Sequence, residues 1–126
     1  MKRLALLLSL ALGLALAPEA HAQRTLPGMR RLDEASVYYI ESEGHRIHFY
    51  TEDGDFSAPG ALKAWEEKLE PHGFARCNSG YLVNLAYVSS VQMNTVQVGP
   101  HQLQVSRPRR KAFLEALADY IGENGA

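Results

Sequence analysis

The sequence predicts a mostly β domain of antiparallel strands, with one helix packed on the sheet and a second helix closing the chain. Three observations carry this. β-favouring runs bounded by Gly, Asn, Asp or Ser recur between residues 36 and 51 and between 81 and 105. Leu62, Trp65 and Leu69 stand at i, i+3 and i+7, the spacing of one helical face. Phe113, Leu114, Leu117, Tyr120 and Ile121 repeat that spacing near the C-terminus. With 126 residues, 46% of them hydrophobic, the chain can bury one modest core plus an N-terminal extra.

Met1-Lys2-Arg3, the apolar stretch Leu4 to Ala17, and Ala20-His21-Ala22 before Gln23 have the three-part form of a secretory signal peptide. Fourteen residues in a helix, with Ser9 and Gly13 interrupting the apolar ones, reach only about 21 Å, short of the roughly 30 Å hydrocarbon core, so a stable membrane span is disfavoured. A hydrophobic linker helix, or a start codon placed inside a longer reading frame, are the rival readings. Gln23 to Glu34, with Pro27, Gly28 and three arginines, reads as a linker.

From Ser36 the pattern is β. Val37 to Ile40 and Arg46 to Thr51 read as strands joined by Glu41 to His45, with Glu52-Asp53-Gly54-Asp55 as a hairpin turn. Ala58 to Leu69 reads as a helix, Pro59 suiting its first turn and Pro71-His72-Gly73 ending it. The stretch Phe74 to Val88 then places the polar tetrapeptide Cys77-Asn78-Ser79-Gly80 before an apolar run. Tyr81 to Val88 reads as one buried strand, with Asn84 either at a bend or bonded to backbone. Val91 and Met93, Val96 and Val98, then Leu103 and Val105 alternate as a β meander turning at Gly99-Pro100. Ser106 can cap the final helix, Pro108 falls in its first turn, and Gly122 ends it.

The formal net charge is −1, which does not favour a nucleic-acid binder as a whole, because DNA affinity comes largely from neutralised phosphates. Distribution matters more. Arg107, Arg109, Arg110 and Lys111 form a cluster free of acids, while the acids gather between Glu41 and Asp55 and on Glu66, Glu67 and Glu70. Four cations beside the positive end of a helix macrodipole are unfavourable in isolation, and an anionic partner relieves them. The backbone N–H groups of the same helix start can hold a phosphate.

Chemistry-bearing residues point away from catalysis. One cysteine cannot form an intrachain disulfide or by itself hold a structural zinc, so Cys77 reads as a packing residue. Cys77, His72 and Asn78 have the residue types of a thiol hydrolase without its context, since a nucleophile on a helix N-terminus is missing. His45 and His48, three apart on a strand, point to opposite faces and do not share a metal. Asn78 and Ser79 can close the turn through bonds to backbone. No enzyme, cofactor, metal site or small-molecule substrate is expected.

Three motifs in order, Tyr39-Ile40-Glu41, Arg76 to Asn84, and Gln104-Val105-Ser106-Arg107, resemble a LytTR-type DNA-binding domain, the output domain of LytR- and AlgR-like response regulators. The resemblance covers roughly Leu32 to Ile121. It implies sequence-specific binding to double-stranded promoter DNA, commonly as a pair of copies on direct repeats. It also implies that His45, at the mouth of a strand beside Arg46, reaches the major groove, and that Asn78 and Ser79 lie on a DNA-facing loop. Arg107, Arg109, Arg110 and Lys111 then meet phosphate or base. Many relatives carry a histidine and a basic residue where this chain has Asn78 and Ser79.

The expected organisation is a signal-like leader and linker over 1–31, a DNA-binding domain over 32–121 and a tail over 122–126. The expected role is a transcriptional regulator acting in the cytoplasm, with residues 1–22 retained as a linker helix or weak membrane tether. Export as a β domain that binds a protein or cell-surface ligand is the alternative.

Overall fold

Strand β3 (Val37–Glu43) sits at the middle of a five-stranded antiparallel sheet whose other members are β4 (Arg46–Thr51), β5 (Gly54–Pro59), β6 (Phe74–Asn78) and β7 (Tyr81–Asn84). Their order is β5-β4-β3-β7-β6. A second antiparallel sheet, ordered β10-β9-β8, consists of β8 (Val88–Val91), β9 (Thr95–Val98) and β10 (His101–Gln104). Helix α1 (Leu62–Leu69) follows β5, and α2 (Arg107–Asn124) closes the chain. The computed structural model describes residues 5–9 and 29–124, with side chains described over 32–124.

Two cores lie on the two faces of the large sheet. On one, Ile40, Ile47, Phe49, Phe74 and Leu82 are buried against Leu62 and Leu69 of α1, with the Trp65 ring edge-on to Phe49 at 5.1 Å. On the other, Tyr39, Cys77 and Val83 meet Val96, Val98 and Leu103 of the small sheet and Phe113 of α2. The period of two sends alternate residues to opposite faces. A register shift between Val37 and Tyr39 lets Val37 and Ile40 share one face while Tyr39 serves the other. The expected antiparallel β domain with two helices is the fold observed.

Several boundaries differ from the sequence reading. Ala58 and Pro59 belong to β5, not to a helix beginning at residue 58; Ala58 is buried opposite Ile47, and Pro59 is tolerated because β5 is an edge strand. Tyr81 to Val88 is not one strand. Asn84 donates its amide to the Val37 carbonyl oxygen (2.9 Å) and accepts from the Ala86 N–H (3.0 Å), so the chain turns through a 3₁₀ segment, Leu85–Tyr87, and re-enters in the other sheet. Both readings of Asn84 hold at once. Met93 lies in the turn after β8 and is 69% exposed, not in a strand. Helix α2 runs through Gly122 to Asn124, and Ile121 is 54% exposed, so it does not join the apolar stripe that buries Phe113.

At the N-terminus, β1 (Ala5–Ser9) is a strand, not part of an apolar helix, and pairs antiparallel with β2 (Met29–Asp33). A leucine-rich run has no helical commitment once a partner strand satisfies its backbone. Strand β2 also crosses the boundary expected between residues 31 and 32. The rest of the leader and linker reading, residues 1–4 and 10–28, lies outside the described residues. No described helix is long and apolar enough to cross a membrane.

Candidate nucleic-acid interface

Antiparallel pairing brings three separated segments to one end of the large sheet. The first is the β3–β4 turn, where Gly44 takes φ +63°, a conformation that favours glycine, and presents His45 and Arg46 to solvent. The second is the β6–β7 turn at Ser79-Gly80; the Gly80 carbonyl oxygen accepts from the Ser42 N–H at 2.9 Å, which ties this turn to the end of β3. The third is the crossing from β10 into α2. The Ser106 N–H donates to the Cys77 carbonyl oxygen (3.0 Å), so the basic helix start begins beside the β6–β7 turn.

Asn78 is the joint between the second and third segments. Its Oδ1 accepts from the Gly80 N–H at 2.7 Å, closing the turn, and its Nδ2 donates to the Gln104 carbonyl oxygen at 2.7 Å. Asn78 is thus half-buried and committed to the scaffold, while Ser79 is exposed. The Ser79 carbonyl oxygen accepts from Arg76 Nη1 (3.0 Å), and Arg76 Nη2 pairs with Glu66 of α1 at 3.3 Å. Arg76 therefore braces the loop from beneath.

The four cations of α2 separate into two kinds. Arg107 and Lys111 are exposed, and Arg109 is half-buried. Arg110 donates through Nη1 to the carbonyl oxygens of Gln92 (3.4 Å) and Met93, which pins the β8–β9 turn to the first turn of α2. Arg46 also has a protein partner, Ser57 Oγ, at 3.0 Å. Sequence reasoning missed the Gln92–Asn94 turn as a neighbour of the helix start. Its only signal is Arg110, and a bond reaching back 17 residues leaves no local pattern.

The remaining candidates serve the scaffold. Burial pushes the Cys77 thiol up to about 12, and its Sγ lies 3.4 Å from the Gln104 carbonyl oxygen, so it is no nucleophile at neutral pH. His72 sits at the other end of β6, with its Nδ1 3.5 Å from Glu34 Oε2. His48 pairs with Glu43 at 2.9 Å, independently of His45. Among the described residues no group of three His, Cys, Asp or Glu side chains could hold a metal ion. The opposite end of the sheet carries an open cleft of about 710 Å³, lined by Glu34, Glu70, Asp119 and Glu123 among others, a charge that repels phosphate.

A small β domain that gathers exposed polar loops and a cationic helix start at one pole has the form of a DNA-binding module. The chain belongs to the LytTr DNA-binding domain family, whose model matches residues 28–118. It is 39% identical over 57 residues to the CO-responsive transcriptional regulator RcoM of Rhodospirillum rubrum, a match that covers 45% of this chain and 24% of that protein. The matched region is thus about a quarter of that relative's length. The fold is similar to the LytTr DNA-binding domain of a methyl-accepting/DNA response regulator from Bacillus cereus, with a TM-score of 0.64, 19% identity, and coverage of 75% of this chain and 92% of that one.

Proposed function

We propose that this chain is the DNA-reading part of a transcriptional regulator and grips a promoter duplex with the pole formed by the β3–β4 turn, the β6–β7 turn and the start of α2. The observation that carries it is the convergence of Asn78, Gln104 and Ser106, which joins the loops to the basic helix start. Arg107, Arg109 and Lys111 engage phosphates and fix orientation, while His45, Arg46 and Ser79 face the base edges. Asn78 and Arg110 act mainly by holding the loops in place. The net charge of −1 keeps binding weak away from the site, and the phosphate contacts make it salt-dependent.

Two copies on direct repeats suit a single module of this size, because one pole covers only a short run of base pairs. The domain works in the cytoplasm, where the DNA is. Pairing of Ala5–Ser9 with Met29–Asp33 supports retention of those residues in the working chain. It takes no small-molecule substrate and performs no chemistry.

Selection from a pool of random duplexes tests the reading. Enrichment of one motif, lost on substitution of Arg107 and Arg109 by alanine, is the expected result. A pool that remains random with the parent chain overturns it.

A further inference from the structure

We infer that the β8–β9 turn, Gln92-Met93-Asn94, is a fourth loop of the interface and that Met93 reads thymine through its methyl group. The inference rests on the DNA-binding reading and adds to it a residue that recognises a base without a hydrogen bond.

Single exposed apolar residues are ordinary on protein surfaces. What sets Met93 apart is how its backbone is held. The Gln92 N–H donates to the Thr95 carbonyl oxygen (2.8 Å), closing the turn. The Val105 N–H donates to the Asn94 carbonyl oxygen at 2.7 Å, two residues before Arg107. Arg110 holds the Gln92 and Met93 carbonyls. Thr95 pairs with Gln104, whose carbonyl is the acceptor for Asn78. The turn is therefore fastened to the same Asn78, Gln104 and Arg107 region that forms the pole.

One guanidinium of a basic cluster is thus spent on ordering an exposed turn that buries almost nothing of its own. Met93 is 69% exposed, and the other large exposed hydrophobic among the described residues, Ile121, lies near the far end of α2. Its backbone is held by Arg110 of the basic helix start, so Met93 stands beside the cations of α2 and meets a polyanion before it meets an apolar protein face. On a duplex the apolar feature in reach is the C5-methyl of thymine in the major groove. An unbranched, polarizable thioether adapts to such a group without demanding one geometry. Gln92 and Asn94 flank it with amides able to pair with adenine beside it.

The test uses the whole chain and a fluorescent duplex carrying the selected motif, with thymine replaced position by position by deoxyuridine, which removes only the methyl group. The parent loses about fourfold in affinity at a contacted position, the factor for one buried methyl. Met93→Ala binds the thymine duplex more weakly by a similar factor, no longer distinguishes thymine from uracil there, and keeps the parent's salt slope because no phosphate contact is lost. Met93→Leu restores the discrimination. An alanine variant that melts like the parent and still discriminates as the parent does overturns the assignment of Met93 while the DNA-binding reading stands. A parent chain that selects no duplex overturns that reading itself.

Discussion

Asn78 Nδ2 donates to the Gln104 carbonyl oxygen across 2.7 Å, and this bond fastens the central hairpin to the strand that delivers the basic helix. Asn78→Ala removes that donor and the acceptor for the Gly80 N–H together. The expected cost is about 1–3 kcal/mol, because two backbone groups lose their partners. Urea unfolding measures it. Asn78→Asp keeps the acceptor for Gly80 and should fall between parent and alanine; equal stability of all three would mean that the joint bears no load.

Arg107 and Arg110 share a helix turn and are expected to behave differently. Arg107→Ala and Arg109→Ala each reduce the slope of log K against log salt by about 0.9 for a lost phosphate contact. Arg110→Ala leaves that slope near the parent's and lowers the melting midpoint, since its guanidinium is engaged by the Gln92 and Met93 carbonyls. Salt-titrated fluorescence anisotropy separates the two, and an unchanged slope in both Arg107 and Arg109 variants removes the patch from the interface.

Core substitutions rank by burial. Phe49 is fully buried, and Phe49→Ala should destabilise by about 3–5 kcal/mol. Trp65 is only half-buried, with Lys68 Nζ 4.9 Å above its ring, so Trp65→Ala should cost about 2 kcal/mol. A helix stripe read from sequence would rank the tryptophan with the phenylalanine. Denaturation midpoints of the two variants decide the order.

Glu34 links the entry of the domain to the turn after α1. Burial raises its pKa above 4.5, against the opposing attraction of His72 and with a smaller contribution from Asp33, and its Oε1 has no hydrogen-bond partner. A raised folded-state value means that ionisation opposes folding. The stabilising contribution is complete below the unfolded value and is lost as pH rises through the folded one. Glu34→Gln should therefore be more stable than the parent at pH 7–8, with the gap narrowing as pH falls towards 4.5 and closed below it. A constant gap across that range would mean that ionisation plays no part.

A chain tagged at its C-terminus should fractionate with the cytoplasm at full length. Recovery of a product cut after Ala22 from the exported fraction would reverse the location and remove most of the case for transcriptional control.

Local physics was legible without coordinates wherever a residue's neighbours in space are also its neighbours in sequence. β-favouring runs marked β3 and β4, the Leu62, Trp65 and Leu69 spacing marked α1, and the charge run marked the start of α2. Three ordered motifs also pointed to the family. What periodicity could not supply was a choice between environments of equal local plausibility. Ala58 is as good in a helix as in a strand, and pairing with Ile47 decided for β5. The apolar run after Gly80 breaks at Asn84 because the Val37 carbonyl, 47 residues away, accepts its amide. Likewise, the four cations look equivalent in sequence, and only the fold turns Arg110 inward to the Met93 turn while leaving Arg107 exposed. The functional pole belongs to that second category. It exists because antiparallel register places turns from residues 44, 79 and 106 at one end of a sheet, and register is settled by which faces bury together, a property of the whole chain and of no single segment.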